Sequence, residues 1–487
     1  MNIHSAPRIV WFRDDLRITD HPALSAAARG GAPVICLYVR DHISPSLAAP
    51  AWRPPGGAAR WWLSQSLGAL ASSLTSRGAA LVLRSGPAAE VILSLAEEIG
   101  ADAVYWNDIE QAPHLAVAND VAAALGERGV AVHRFADDLL AKPAAVRTKE
   151  GRGLRVFTPF WRRVLALSPP PKPVAAPRKI TPGPAVAGDR LAEWKLEPKH
   201  PDWAGGLRAA WTPGEAAAHK HLQTFFDSGV AGYSKGRDIP EPGTTSKLSA
   251  HLRWGEISPR QIWHAARFAA ADRPELTADI EKFLSELGWR EFCRHLLFDV
   301  PDLATRNLQP SFNGFPWIND RANLAAWQQG RTGYPIIDAG MRELLHTGVM
   351  HNRVRMVAAS FLVKQLLINW REGEQWFWDT LVDADAGSNP ANWQWVAGCG
   401  ADAAPYFRIF NPVLQGEKFD PDGVYVRKWV SELKDMPSKL IHKPWTATKT
   451  DLCDAGVVLG ESYPMPIIDH KVGRERALSA YSSTRSS

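Results

Sequence analysis

Between Trp370 and Trp395 the chain places five tryptophans beside Asp383, Asp385, Asn389 and Asn392. Carboxylates and amides are costly in apolar surroundings unless they are paired. Large π-faces next to charged hydrogen-bonding groups suit a flat ligand with a polar edge, such as a flavin or a base. The same residues could equally build an aromatic helical core closed by a capped turn.

Three other groups could do chemistry. Glu286, Trp289 and Arg290 stand at i, i+3, i+4 and share a helix face, with Gly288 between them allowing close approach. Asn352, Arg355 and Met356 repeat that spacing at the start of an apolar helix. A charged Arg355 there needs a partner, which a purely structural ion pair would also supply. The run Thr244-Thr-Ser-Lys-Leu-Ser249 opens a helical stretch, with Thr245 or Ser246 as the expected N-cap. A helix start also offers free N–H groups to an anion; a cap alone is the plainer reading.

The elements that must position these residues change character along the chain. Residues 8–13, 32–39, 79–84, 102–106 and 130–135 read as strands. Helical segments lie near 21–29, 58–77, 87–99 and 113–127. Alternation of this kind predicts a parallel, doubly wound sheet of five strands with right-handed crossovers. A proline-rich connection follows, with a short helix expected near 158–167. From about 213 onward the pattern is helical, clearest at 278–297, 335–346 and 350–369. The expected organisation is an α/β domain over 1–137, a linker over 138–210 and an all-α domain over 211–487.

Two short motifs fail on context. Gly232-Tyr-Ser-Lys-Gly236 fits a hydrolase nucleophile elbow but has no strand before it. Gly398-Cys-Gly-Ala-Asp-Ala403 follows a Trp-rich turn and reads as a loop.

Composition is that of a soluble globular protein, with Trp 21 against Tyr 8 as its unusual feature. The formal charge of +5 permits nucleic-acid binding without demanding it. The four scattered cysteines argue against a metal site or disulfide framework and fit a reducing cytoplasm. No signal peptide or membrane span is expected.

Longer runs carry a resemblance. Asn389-Pro-Ala-Asn-Trp-Gln-Trp395, then Ala403-Ala-Pro-Tyr-Phe-Arg-Ile-Phe-Asn-Pro412 and Gln415-Gly-Glu-Lys-Phe419, closely resemble the photolyase/cryptochrome family. So do Val10-Trp-Phe-Arg-Asp-Asp-Leu-Arg17 and the tail from Asp469-His-Lys471 to Tyr481. The resemblance implies FAD in the helical domain, an antenna chromophore in the first, UV-damaged DNA as partner, and a monomer. It implies FAD contacts from Tyr233, Thr245, Ser246, Lys247, Leu248, Ser249, Asn352, Arg355, Asp383 and Asp385, with Asn389 at the reactive edge of the flavin. Glu286, Trp289, Asn352, Met356 and Trp395 would meet a flipped lesion. Trp393, Trp370 and Trp317 would relay electrons, although each alone would more often be core. Arg237, Arg353 and Arg408 are candidate phosphate anchors. The implied activity is light-driven repair of cyclobutane pyrimidine dimers, with a cryptochrome photoreceptor or a six-four photolyase as alternatives. Asn389, Met356 and Trp395 favour dimer repair. The antenna is read as methenyltetrahydrofolate, with Glu110 and Trp61-Trp62 as candidates, the pair being equally explained by helix packing.

Overall fold

A computed structural model describes residues 6–48, 50–136, 138–241, 244–403 and 408–486. The chain divides into two compact units. The first comprises Met1–Trp203, Thr212–Ala231 and Ser246–Asp302; the second comprises Ala204–Trp211, Gly232–Thr245 and Leu303–Ser487.

In the first unit, β1 (Arg8–Phe12), β2 (Val34–Arg40), β3 (Leu81–Ser85), β4 (Ala103–Asp108) and β5 (Ala131–Ala136) form one parallel sheet in the order β3-β2-β1-β4-β5. Four helices make the crossovers: α1 (Pro22–Ala27), α2 (Gly57–Thr75), α3 (Ala88–Ile99) and α4 (Ala112–Glu127). Buried Ile9, Trp11, Ile35, Leu37, Val104 and Trp106 pack with α3 and α4, which is why these strands read as near-continuous apolar runs.

The proline-rich connection is packed rather than loose. Val34 donates to Thr181 O at 2.8 Å, and Gly183 donates back to Val34 O at 3.1 Å. Asp189 donates to Leu83 O at 2.7 Å. Prolines cannot donate to the sheet, so the residues between them make these bonds. Helix α5 (Phe157–Ala166) sets Phe160 against Phe292 and Trp161 against Trp263. Helices Ser249–Arg253, Pro259–Asp272 and Thr277–Asp299 therefore cluster with the sheet unit. The compact units thus depart from a boundary at residue 211, because side-chain packing on α5 outweighs the change from mixed to helical pattern.

The second unit is helical. Pro335–Thr347, Asn352–Ser360, Trp370–Thr380 and Ser388–Ala397 surround buried Trp327, Phe361, Leu362, Trp370 and Trp393. The helix read over 350–369 is shorter: it begins at Asn352 and passes at Phe361–Gln365 into a π turn. Leu367 then adopts a φ of +55°, which no helix continues through. The Asn369 side chain accepts from Arg371 N–H at 3.0 Å and starts a new helix, fixing Trp370 at its first position.

Candidate functional site

The residues singled out above fall in both units. Ser246, Lys247, Leu248, Ser249, Glu286 and Trp289 lie in the first; the rest of the proposed flavin, relay, lesion and phosphate residues lie in the second. Each set is described within its own unit.

In the second unit, Arg355 is held from two sides. Its Nε donates to Met350 O at 2.6 Å, and its Nη2 donates to both oxygens of Asp383 at 3.1 and 2.9 Å. The Asp383 side chain is almost fully buried, at 5% exposure, so its charge relies on this arginine. Two residues on, Asp385 accepts from the N–H groups of Gly387 and Ser388 at 2.9 and 2.7 Å. That anchors the start of Ser388–Ala397, the helix carrying Asn389, Trp393 and Trp395.

Asn389 is buried. Its Nδ2 donates to Glu374 O at 3.0 Å and to Glu374 Oε1 at 2.7 Å. Two acceptors on one side fix which end of the amide is nitrogen. Oδ1 then accepts no hydrogen bond among the described residues. A flavin nitrogen that carries a proton when reduced fits an acceptor of this kind. Thr244 Oγ1, at the hydroxyl-rich turn, is buried without a partner. Both orphaned groups, with the Arg355–Asp383 pair and buried Tyr233, fit a flavin nucleotide.

The expected cap at that turn is corrected. The helix begins later, at Ser249, spans five residues, and has Leu248 as an N-cap with no side-chain bond. Lys247 sits at φ +55°, in the left-handed region, so Thr245 and Ser246 precede the helix rather than start it. Thr245, Lys247 and Ser249 are exposed.

The three relay candidates run from buried to half-buried. Trp393 is 3% exposed and packs against Phe377 and Trp327 at 5.0 and 6.1 Å. Gly373 makes room for it: a Cβ there would come within 2.2 Å of the Trp393 ring. Gly373 lies one turn into the helix opened by Trp370, which is fully buried and donates Nε1–H to Asn307 Oδ1 at 3.0 Å. Trp317 is half-buried against Phe315, and its neighbour Ile318 donates to Leu367 O at 2.8 Å.

Among the other second-unit candidates, Asn352 is exposed with its Nδ2 4.0 Å from Met356 Sδ. The half-buried Trp395 donates Nε1–H to Asp402 O at 3.0 Å. Arg353 is already engaged, paired to Asp238 at 2.6 Å and lying over the Phe419 ring. Its guanidinium is held by the protein; Arg408 is exposed. Arg237 is half-buried. Residues 404–407 of the quoted motif lie outside the described residues.

In the first unit, Glu286 is half-buried and paired to Lys282 at 2.9 Å, one helical turn away. Trp289 stacks flat on Phe157 of α5, with ring centres 3.8 Å apart and 6° between planes. One indole face is therefore covered. Trp61 and Trp62 are core, Trp62 donating to buried Glu256 at 3.1 Å. The crevice at the carboxyl ends of β1 and β4, where a sheet of this order would hold a ligand, measures about 20 Å³. Asp14, Asp15, Asp138 and Arg290 fill its wall, leaving room for about one water. Beside it Glu110 is half-buried, and burial pushes its carboxyl upward.

Comparison with known proteins matches residues 8–178 to the family described as DNA photolyase and residues 283–483 to the FAD binding domain of DNA photolyase. The deoxyribodipyrimidine photo-lyase of Agrobacterium fabrum is 49% identical over all of this chain and 99% of its own length. The chain belongs to the photolyase/cryptochrome family. Another member, Cryptochrome-1 of Arabidopsis thaliana, is 39% identical over 94% of this chain but only 68% of its own. Among solved structures, a bacterial class III photolyase from Agrobacterium tumefaciens superposes with a TM-score of 0.95. It shares 48% identity, covering 100% of this chain and 99% of that one. The family fold, a five-stranded parallel sheet followed by helices, is the one observed here. Glu374, Asp238 and Phe157 are the contributors that sequence reading missed. Each meets its partner across a long stretch of chain, so no local spacing signals them.

Proposed function

We propose that this photolyase-family protein is a light-dependent lyase that splits cyclobutane pyrimidine dimers in UV-damaged DNA. The observation that carries the reading is Asn389. It is held by Glu374 with its oxygen unspent, in a helix anchored by Asp385. When bound in its reduced form and excited by blue light, FAD would supply the electron that opens the cyclobutane ring and would recover it afterwards. The chain's own residues hold, orient and gate. Arg355, Asp383, Asp385, Tyr233, Asn352 and the 245–249 residues retain the cofactor, and Asn389 accepts from its reactive edge. Because a dimer in duplex DNA is out of reach, it must be flipped out. Glu286 is assigned to hydrogen-bonding it, Trp289 and Trp395 to stacking, and Asn352 and Met356 to its rim. Arg237, Arg353 and Arg408 are assigned to phosphates. Trp393, Trp370 and Trp317 would pass electrons from an external thiol toward oxidised flavin, which needs them to regain its reduced form.

The division into 1–137, 138–210 and 211–487 is kept as a functional one: antenna, connection, catalysis. The antenna is proposed as methenyltetrahydrofolate, bound elsewhere than in the narrow β1/β4 crevice. Its near-ultraviolet absorbance, present in purified protein and absent after folate depletion, is the check. Monomeric state and a cytoplasmic setting complete the proposal; no helix among the described residues is long and apolar enough to cross a membrane.

Asp385→Ala should reduce bound FAD at least several-fold, read by absorbance after gel filtration; full occupancy contradicts the assignment. Met356 offers no proton donor, which six-four chemistry requires. Reduced protein illuminated with each lesion should therefore restore the cyclobutane dimer and leave the six-four photoproduct intact. The reverse outcome, followed by chromatography, favours the six-four reading.

A further inference from the structure

Residues 147–163 carry Arg147, Lys149, Arg152, Arg155, Arg162 and Arg163 against a single carboxylate, Glu150. The resulting +5 equals the formal charge of the whole 487-residue chain. The mild basicity of this protein is therefore concentrated in one short segment.

The segment is rigidly mounted. Arg147 pairs with Asp299 at 2.5 Å, at the end of helix Thr277–Asp299. Gly153 presses on the same carboxylate: a Cβ there would come within 1.7 Å of Asp299 Oδ2. Between them the chain turns tightly. Thr148 donates to Arg152 O at 2.8 Å, Gly151 donates to Thr148 O at 3.0 Å, and Gly151 takes a φ of +76°. This leaves a cleft of about 650 Å³ lined by Arg147, Arg152, Arg155 and Phe298. Further on, Phe157 lies flat on Trp289, and Trp161 packs where Gly288 lacks a side chain.

Lys149, Arg152, Arg155, Arg162 and Arg163 are all exposed. Among the described residues, only Arg152 makes an ion pair, 3.9 Å from an exposed Glu150. Exposed cations this dense repel one another, and an extended polyanion relieves that repulsion. A single small anion would neutralise only part of the set. A phosphodiester backbone supplies charges in series.

The geometry points to residues 147–163 as a second DNA-backbone surface on the first unit, fixed to Trp289 through Phe157. It would grip phosphates flanking the dimer, contacts that carry no sequence information. This rests on the dimer-repair reading, which assigns Trp289 to the lesion.

The test compares Arg152→Ala/Arg155→Ala and Arg162→Ala/Arg163→Ala with the parent protein. Binding to dimer-containing and undamaged duplexes is measured across salt concentrations. Each lost phosphate contact removes about one unit of the logarithmic salt slope, so each double variant should flatten it by about two on both duplexes. The pair Arg152→Lys/Arg155→Lys keeps the charge and should restore the slope. Unchanged slopes in both alanine pairs, or failure of the lysine pair to restore one, overturn the inference. So does inorganic phosphate saturating the cleft while DNA slopes stay the same. If the parent protein shows no dimer preference and no repair, the repair reading fails; slopes on undamaged duplex still decide this one.

Discussion

Asn389 spends both amide hydrogens on Glu374, and that arrangement makes it a one-way acceptor. Removing the carboxylate should let the amide turn. Glu374→Ala is expected to slow light-driven repair several-fold while FAD stays bound, whereas Glu374→Gln keeps an acceptor and most of the rate. Equal rates in all three proteins would mean that Asn389 is held by something else. A second residue makes a different prediction. Glu291 is fully buried, and desolvation pushes its carboxyl up to about 7, although Arg290 lies 3.0 Å away and opposes the shift. A carboxyl raised in the folded state holds a proton that the unfolded chain releases. Folding stability should therefore fall as pH rises from about 4.5 to about 7, by roughly 3 kcal/mol in total. Glu291→Gln should not show that fall, because the amide still accepts from Leu140 N–H without carrying charge. Unfolding curves at pH 5 and pH 8 for both proteins check this, and parallel behaviour contradicts it.

At the scale of elements, Trp393 packs against Gly373 of the helix that Trp370 opens, and Trp317 lies half-buried against Phe315. Phe in place of any of the three indoles keeps the packing and removes the oxidisable ring. Each variant should photoreduce oxidised flavin markedly more slowly in the presence of a thiol. Chemically reduced protein should still repair. Parent-rate photoreduction in all three would make these residues core. The elements also show what a sequence discloses. The five strands and the long helices were legible because apolar periodicity reports burial directly. The turn at 244–249 was misread, since a positive φ at Lys247 leaves no mark in residue type. The π turn at Phe361–Gln365 was invisible for the same reason: its residues are as helix-compatible as those before it. Gly232–Gly236, rejected as a nucleophile elbow, follows a π turn at Phe225–Gly229 rather than a strand, as context required.

At the scale of the molecule, the family was legible from long residue runs, whereas the packing of particular helices was not. The pattern turns helical from about residue 213, yet the helices up to Asp299 cluster with the sheet unit and pack on α5 through Phe160 and Trp161. Local pattern reports element type; which elements share a core depends on side chains far apart in sequence. Likewise, Arg355 signalled its need for a partner, and Asp383 answers it, while Asp238, Phe157 and Glu374 gave no such signal. The account as a whole claims that light, reduced FAD and this chain together reverse a cyclobutane dimer. The direct measurement incubates reduced protein with an oligonucleotide containing one thymine dimer, in blue light and in darkness, and quantifies restored thymines by chromatography. Restoration in light and none in darkness is the predicted result. No restoration in light, from protein that retains FAD and binds the dimer, would contradict the account and leave the photoreceptor reading in its place.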